Sequence, residues 1–220
     1  MGFGRAAAAA AIAVTISLAA CACASAEASR GDDGAVRVAF YGDSYTLGTG
    51  ASGPDKRWSS LVCAQRGWSE FNPSVNGLGF VNNRPTVGDG DLPDLVIDDA
   101  PDIVFITMGL NDNFSYDYAA EQIRGQIIAD FARISSALPD ARIIVVEPFW
   151  YTDTRPESVD VIIGWVRDAA SGIDADYIDG ASHWIEGHPE WMAADGLHPN
   201  DEGYAQLATR MNAALEKLEL

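Results

Sequence analysis

Ser44, Asp195 and His198 are the residues whose types and spacing could carry nucleophilic chemistry. Ser44 follows Gly42-Asp43 directly after an apolar run, and Asp195 precedes His198 by three residues in Asp195-Gly196-Leu197-His198-Pro199. A serine hydroxyl is a weak nucleophile at neutral pH. It needs a base within hydrogen-bond reach, and the base needs a carboxylate to orient it. An aspartate at i−3 on the same loop can take the imidazole Nδ1 proton and leave Nε2 for the serine. His183 and His188 have no carboxylate at i−3 and no helix start behind them, so His198 is the preferred base. The competing readings are a helix N-cap for Ser44 and a structural histidine before proline for His198.

A reaction through a serine also needs donors in place for the oxyanion it creates. Asn111, in Gly109-Leu110-Asn111-Asp112 after another apolar run, can offer its side-chain amide. Asp43 and Asp112 read as structural, fixing loop geometry through backbone hydrogen bonds. Gly48-Thr49-Gly50-Ala51-Ser52-Gly53 fits the dinucleotide fingerprint in letters only, because Pro54 follows the last glycine and the strand has ended near Tyr41. A mobile rim beside the nucleophile is expected there. His183 and His188 with Glu186 lack the spacing of a metalloprotease helix, and neither a metal nor an organic cofactor is expected. Asp89, Asp91, Asp94, Asp98, Asp99 and Asp102 lack the register of a calcium loop and read as a solvated helix-loop face. Phe149-Trp150-Tyr151 is read equally as packing and as a platform for an acyl chain or sugar ring.

The elements that must position these residues show in the hydrophobic pattern. Val36 to Tyr41, Ile103 to Met108 and Ile143 to Val146 are continuous apolar runs of strand length, with weaker candidates at Ser69 to Asn72 and Asp176 to Ile178. Continuous runs suit strands buried on both faces of a parallel sheet. Ile123, Ile127, Phe131, Ile134 and Leu138 mark one helical stripe, and Val159, Ile162, Ile163 and Val166 another. A last helix over Tyr204 to Leu215 follows Pro199-Asn200, with Asn200 as its N-cap. Strands alternating with helices predict an α/β sheet covered on both sides. Ligands bind beyond the carboxyl ends of such strands, which is where the three motifs fall. Cys63 is placed in a helix, off a stripe formed by Trp58, Leu61 and Val62, and is not read as a nucleophile.

Taken together, the blocks Gly42 to Ser44, Gly109 to Asp112 and Asp195 to Pro199 resemble those of the SGNH (GDSL) hydrolases, over about Val36 to Leu215. The resemblance implies a flavodoxin-like three-layer α/β/α sandwich with a central, mostly parallel five-stranded sheet. It implies a Ser44, Asp195, His198 triad and an oxyanion hole from Ser44 N–H, Asn111 and a glycine. The family's spacing of five residues after Asn72 selects Gly77, with Gly79 as the alternative. The implied activity is hydrolysis of carboxylic esters through an acyl-enzyme, on short acyl or acetyl groups that include those on glycans. The alternatives are acyl transfer to another hydroxyl, lipase or lysophospholipase action on longer chains, and a non-catalytic carbohydrate-binding role.

Residues 6 to 20, AAAAAAIAVTISLAA behind Arg5, have the order of a secretory signal, and Leu18-Ala19-Ala20-Cys21 resembles a lipobox with Cys21 lipidated. Cleavage after Ala24-Ser25-Ala26 is the alternative. The expected organisation is a signal over 1–20, a flexible tether over 21–34 and one catalytic domain over 35–220. The protein is then secreted and held at the outer face of a bacterial membrane by its lipid. Cys21 and Cys23 fall outside the domain, so no disulfide framework is expected. A net charge of −18 over 220 residues repels polyphosphate and anionic lipid, which excludes nucleic acid as a partner and leaves the anchor as the only route to a membrane. A small-molecule or glycan ester is the expected partner of a monomer.

Overall fold

The computed structural model describes residues 1–2, 34–88 and 90–220. The expected signal beyond its first two residues, Cys21, and the tether up to residue 33 lie outside the described residues. Five parallel strands form one sheet in the order β2-β1-β3-β4-β5: β1 Arg37–Gly42, β2 Ser69–Phe71, β3 Ile103–Thr107, β4 Arg142–Val146 and β5 Asp176–Ile178. All five positions agree with the sequence pattern, and the sheet is parallel throughout, as Val38↔Ile103 and Ile106↔Val145 register shows.

Successive side chains of a strand point to opposite faces, so each central strand feeds two cores. Val38, Phe40, Ile103, Phe105, Ile144 and Val146 pack under α2 (Trp58–Arg66) and α6 (Asp201–Lys217). Ala39, Tyr41, Val104, Ile106, Ile143 and Val145 pack under α3 (Leu92–Asp99), α4 (Tyr116–Ala137) and α5 (Glu157–Gly172). A strand covered on both sides cannot alternate polar and apolar residues, which is why these runs are continuous. The edge strands β2 and β5 are three residues long and only partly buried, and their signals are correspondingly weak. The expected helical stripes lie on the buried faces of α4 and α5, except that Leu138 stands one residue past α4 as its C-cap. Asn200 caps α6, its Oδ1 accepting from Gly203 N–H at 3.0 Å.

Two local expectations are corrected. Cys63 is on the buried face of α2 with Trp58, Ser59 and Val62, while Leu61 is the partly exposed one. The face is wider than a narrow stripe because the helix meets both the sheet and α6. Burial pushes the Cys63 thiol up to about 12, so it is a small core hydrophobe. The acidic stretch is not simply a solvated face: Asp91 and Asp94 pair with Arg133, Asp91 also with Arg84, and Asp99 with Arg37.

Candidate active site

β1 runs into a one-turn helix, α1 (Ser44–Leu47), and Ser44 is its first residue, 5% exposed. The N-cap is Asp43, whose Oδ1 accepts from Tyr45 N–H at 2.9 Å. The capping alternative for Ser44 therefore falls, and its hydroxyl has no hydrogen-bond partner among the described residues. Burial pushes the Asp43 carboxyl up to about 7, against the Tyr45 N–H and with help from the charge of Asp112.

Asn111 follows β3 in a short 3-10 turn, and its amide donates to Leu78 carbonyl at 2.9 Å and to Asp43 Oδ2 at 3.2 Å. Both amide hydrogens are thus engaged. Asp112, fully buried, accepts from the N–H groups of Phe80, Val81 and Asn82 at 2.7, 2.8 and 3.2 Å. Burial raises its carboxyl even against those three donors. The two aspartates do what structural residues at these positions should do: one caps the Ser44 turn, and the other holds the loop after β2 onto the end of β3.

That loop also separates the two glycines. Gly79 N–H donates to Asn82 carbonyl at 2.8 Å, and a Cβ on Gly79 would stand 2.6 Å from the Asp112 carboxylate. Gly79 is consumed by loop architecture. Gly77 has φ +69 and its N–H has no partner among the described residues, while its carbonyl is held by the amides of Asn82 and Asn83, each at 3.0 Å.

His198 Nδ1 lies 2.7 Å from Asp195 Oδ2, and Asp195 Oδ1 accepts from Leu197 and His198 N–H at 2.9 and 3.0 Å. These bonds, the one to His198 first, hold the Asp195 carboxyl down at about 2. The i−3 spacing alone does not single out this pair in space. His183 Nδ1 meets Glu186 at 2.5 Å and His188 Nδ1 meets Glu190 at 2.9 Å, carboxylates placed after the histidine rather than before it. What separates His198 is enclosure: its side chain is 13% exposed against 51% and 39%.

Two tyrosines, Tyr45 beside the Gly42 to Ser44 block and Tyr204 in α6, bring the Ser44 turn to the His198 loop. Tyr45 donates through Oη to Leu197 carbonyl at 2.7 Å, its ring 6.1 Å from that of His198. Tyr204 of α6 donates to Thr49 carbonyl at 2.7 Å, just past α1. At Gly50 a Cβ would be 2.5 Å from Pro199 carbonyl and 3.0 Å from His198 Cβ, so only glycine lets the two loops meet. Ser52 N–H and Oγ bond Asp201 at 2.7 and 2.6 Å. The Gly48 to Gly53 segment is a rim beside Ser44 as expected, but it is pinned to α6 rather than free.

The GDSL-like lipase/acylhydrolase family matches residues 40–206, a span that holds every one of these residues. The chain belongs to that family. The GDSL lipase Rv0518 of Mycobacterium tuberculosis (strain ATCC 25618 / H37Rv) is 29% identical over 194 residues, covering 83% of this chain and 82% of the relative. Among solved structures, TesA superposes with TM-score 0.67 at 19% identity, covering 83% of this chain and 99% of TesA. The psychrotrophic esterase EstA from Pseudoalteromonas sp. gives 0.65 at 16%, covering 83% and 98%. A two-domain esterase (CEX) active on acetylated mannans gives 0.64 at 19%, covering 83% and 49%. This GDSL hydrolase therefore has the fold of known esterases and acts as a carboxylic ester hydrolase.

Beside the Asp195 loop the hydrolase has a cavity of about 360 Å³, walled by Tyr151, Asp153, Ile185, His188 and Met192. Of the three aromatics after β4, Phe149 and Trp150 are 2% and 3% exposed and belong to the core; Tyr151 alone faces the cavity. Glu147, buried at the end of β4, accepts from Gly180 N–H, Ser182 N–H and Ser182 Oγ, and Arg155 donates to the same Ser182 Oγ at 2.6 Å. These bonds tie the segment after β4 to the turn after β5, and Gly187 N–H donates to Asp153 of the cavity wall at 2.8 Å. Among the described residues no group of three or more His, Cys, Asp or Glu side chains could hold a metal ion, and no helix is long and apolar enough to cross a membrane.

Proposed function

We propose that this hydrolase cleaves short acyl or acetyl esters, those on glycans included, through a Ser44, His198, Asp195 triad. The supporting observation is the 2.7 Å bond between His198 Nδ1 and Asp195, which leaves Nε2 without a partner among the described residues on a loop held to the Ser44 turn by Tyr45. Ser44 Oγ attacks the ester carbonyl carbon and its proton passes to Nε2. The C–O bond to the alcohol then breaks, and the alcohol leaves with that proton. Water repeats the sequence on the acyl-enzyme and restores the serine. The N–H groups of Ser44 and Gly77 receive the oxyanion. Asn111 joins them by giving up the longer of its two bonds, the 3.2 Å one to Asp43.

Support for an acetylated-glycan substrate comes from the cavity beside Asp195, whose rim carries Asp153, His188 and Tyr151, and from the mannan-active neighbour. Ser44→Ala should abolish nitrophenol release from nitrophenyl acetate with unchanged thermal melting, since the lost hydroxyl has no bond partner among the described residues. Undiminished turnover would defeat the assignment. Nitrophenyl esters of graded chain length, run beside acetylated mannan, test the substrate class; a preference rising toward long chains would reject it. We further propose export with a lipid on Cys21, supported by the sequence of the first 21 residues; a Cys21→Ser chain that still takes up an alkyne-labelled fatty acid would reject it.

A further inference from the structure

The buried face of α4 presents Ala119, Ile123, Ile127, Phe131 and Ile134, and among them Asp130, 1% exposed. Arg84 grips this carboxylate with both terminal nitrogens, Nη1 to Oδ2 at 2.6 Å and Nη2 to Oδ1 at 2.8 Å. Tyr41 Oη donates to Oδ2 at 2.7 Å and Gln126 Nε2 to Oδ1 at 2.9 Å. Arg84 Nη1 also donates to Phe80 carbonyl at 2.8 Å, and Nη2 reaches Asp91. Strand β1, the loop after β2 and helix α4 therefore converge on one buried carboxylate.

Stability does not explain a charge pair in that place. The cost of taking two charges out of water is comparable to their attraction, and well-packed apolar residues of the same volume often serve as well or better. What a planar fork on a carboxylate supplies is a fixed register between the elements that carry the two groups. Two of those elements hold the reacting parts. Tyr41 lies three residues before Ser44, and Phe80 and Arg84 continue the loop whose Asn82 and Asn83 clamp the Gly77 carbonyl. Among its described residues that loop contains no strand, and a single 3-10 turn at Arg84–Val87 is the only regular element.

We propose that the Arg84–Asp130 pair, together with Tyr41, is a positioning device for ester hydrolysis that sets the Gly77 N–H against the Ser44 turn. The proposal rests on the reading of Gly77 as an oxyanion donor. The oxyanion exists only past the ground state, so loosening the pair should lower kcat and leave KM alone.

The test is the triple variant Tyr41→Phe, Arg84→Met, Asp130→Leu, which removes the pair and the phenol that would otherwise lose its acceptor. On nitrophenyl acetate kcat should fall about 10- to 100-fold, with KM within about twofold of the parent and melting no lower than the parent's. A triple variant that melts normally and keeps the parental kcat overturns the proposal. So does a fall in rate that vanishes once rates are divided by the Ser44 sites titrated with a phosphonate, because that would be lost protein rather than lost geometry. Arg84→Lys keeps the charge and loses the fork, so it serves if the triple variant does not fold: a several-fold loss of kcat is expected, and parental kcat overturns the proposal. Ser44→Ala measured alongside separates the two failures. Full turnover there removes the nucleophile reading itself, whereas lost turnover there beside an unchanged triple variant removes only the positioning role.

Discussion

The two halves of the site are held in opposite ways. The half carrying the proposed nucleophile hangs from buried carboxylates: Asp43 and Asp112 are 1% and 0% exposed and bond groups from three different loops. The half carrying the proposed base rests on a carboxylate in water, Asp195 at 48% side-chain exposure, whose bonds all stay within three residues. The buried half gains rigidity at the expense of charge burial, while the exposed half keeps its aspartate ionised over almost the whole pH range. A nucleophile and oxyanion hole need fixed geometry, and an orienting carboxylate needs its charge.

The widest test of this contrast is Asp195→Asn, which should lower kcat about 10³-fold or more by spoiling the imidazole's orientation. Because that side chain is exposed, urea unfolding should barely move; a large loss of stability would mean that the two halves are not built differently. Asp112→Ala should show the reverse emphasis. It strands three backbone N–H groups and should destabilise by about 3 kcal/mol or more in urea, with activity lost through the fold.

The mildest test is pH. Asp43 rises from an ordinary 3.8 to about 7, so as pH climbs from 4 the unfolded chain releases a proton the folded one keeps. Its contribution to stability is full at low pH and lost by about 7. Asp195 falls from 3.8 to about 2, so its contribution, small because solvent screens the exposed carboxylate, is present above 4 and lost as pH drops toward 2. Asp43→Asn should therefore flatten the decline in melting temperature between pH 4 and 7, a slope of at most about 1.4 kcal/mol per pH unit. An unchanged slope would mean that Asp43 is ionised throughout.

Much of this was legible in the sequence because it has a pattern. Strands buried on both faces write continuous apolar runs, and residues at the ends of β1 and β3 stand where a parallel sheet places its ligands. The tyrosines are different. Tyr45 and Tyr204 act through single hydroxyls on backbone carbonyls far away in sequence, and nothing in their neighbours marks that. The rim at Gly48 to Gly53 was misjudged because glycine and serine read as freedom, whereas Gly50 is there for close contact and Ser52 for a bond to Asp201. Cys63 was misplaced because a helix facing two partners buries more than one stripe.

The cap on α6 has a consequence for the order of synthesis. His198 lies two residues before Asn200, and α6 holds that loop by packing Tyr204, Leu207, Met211 and Leu215 against α2 and the sheet. Ser44 follows β1 and is translated long before the residues of α6. Under the proposed triad, a nascent chain carries its serine without an activating base until α6 has docked.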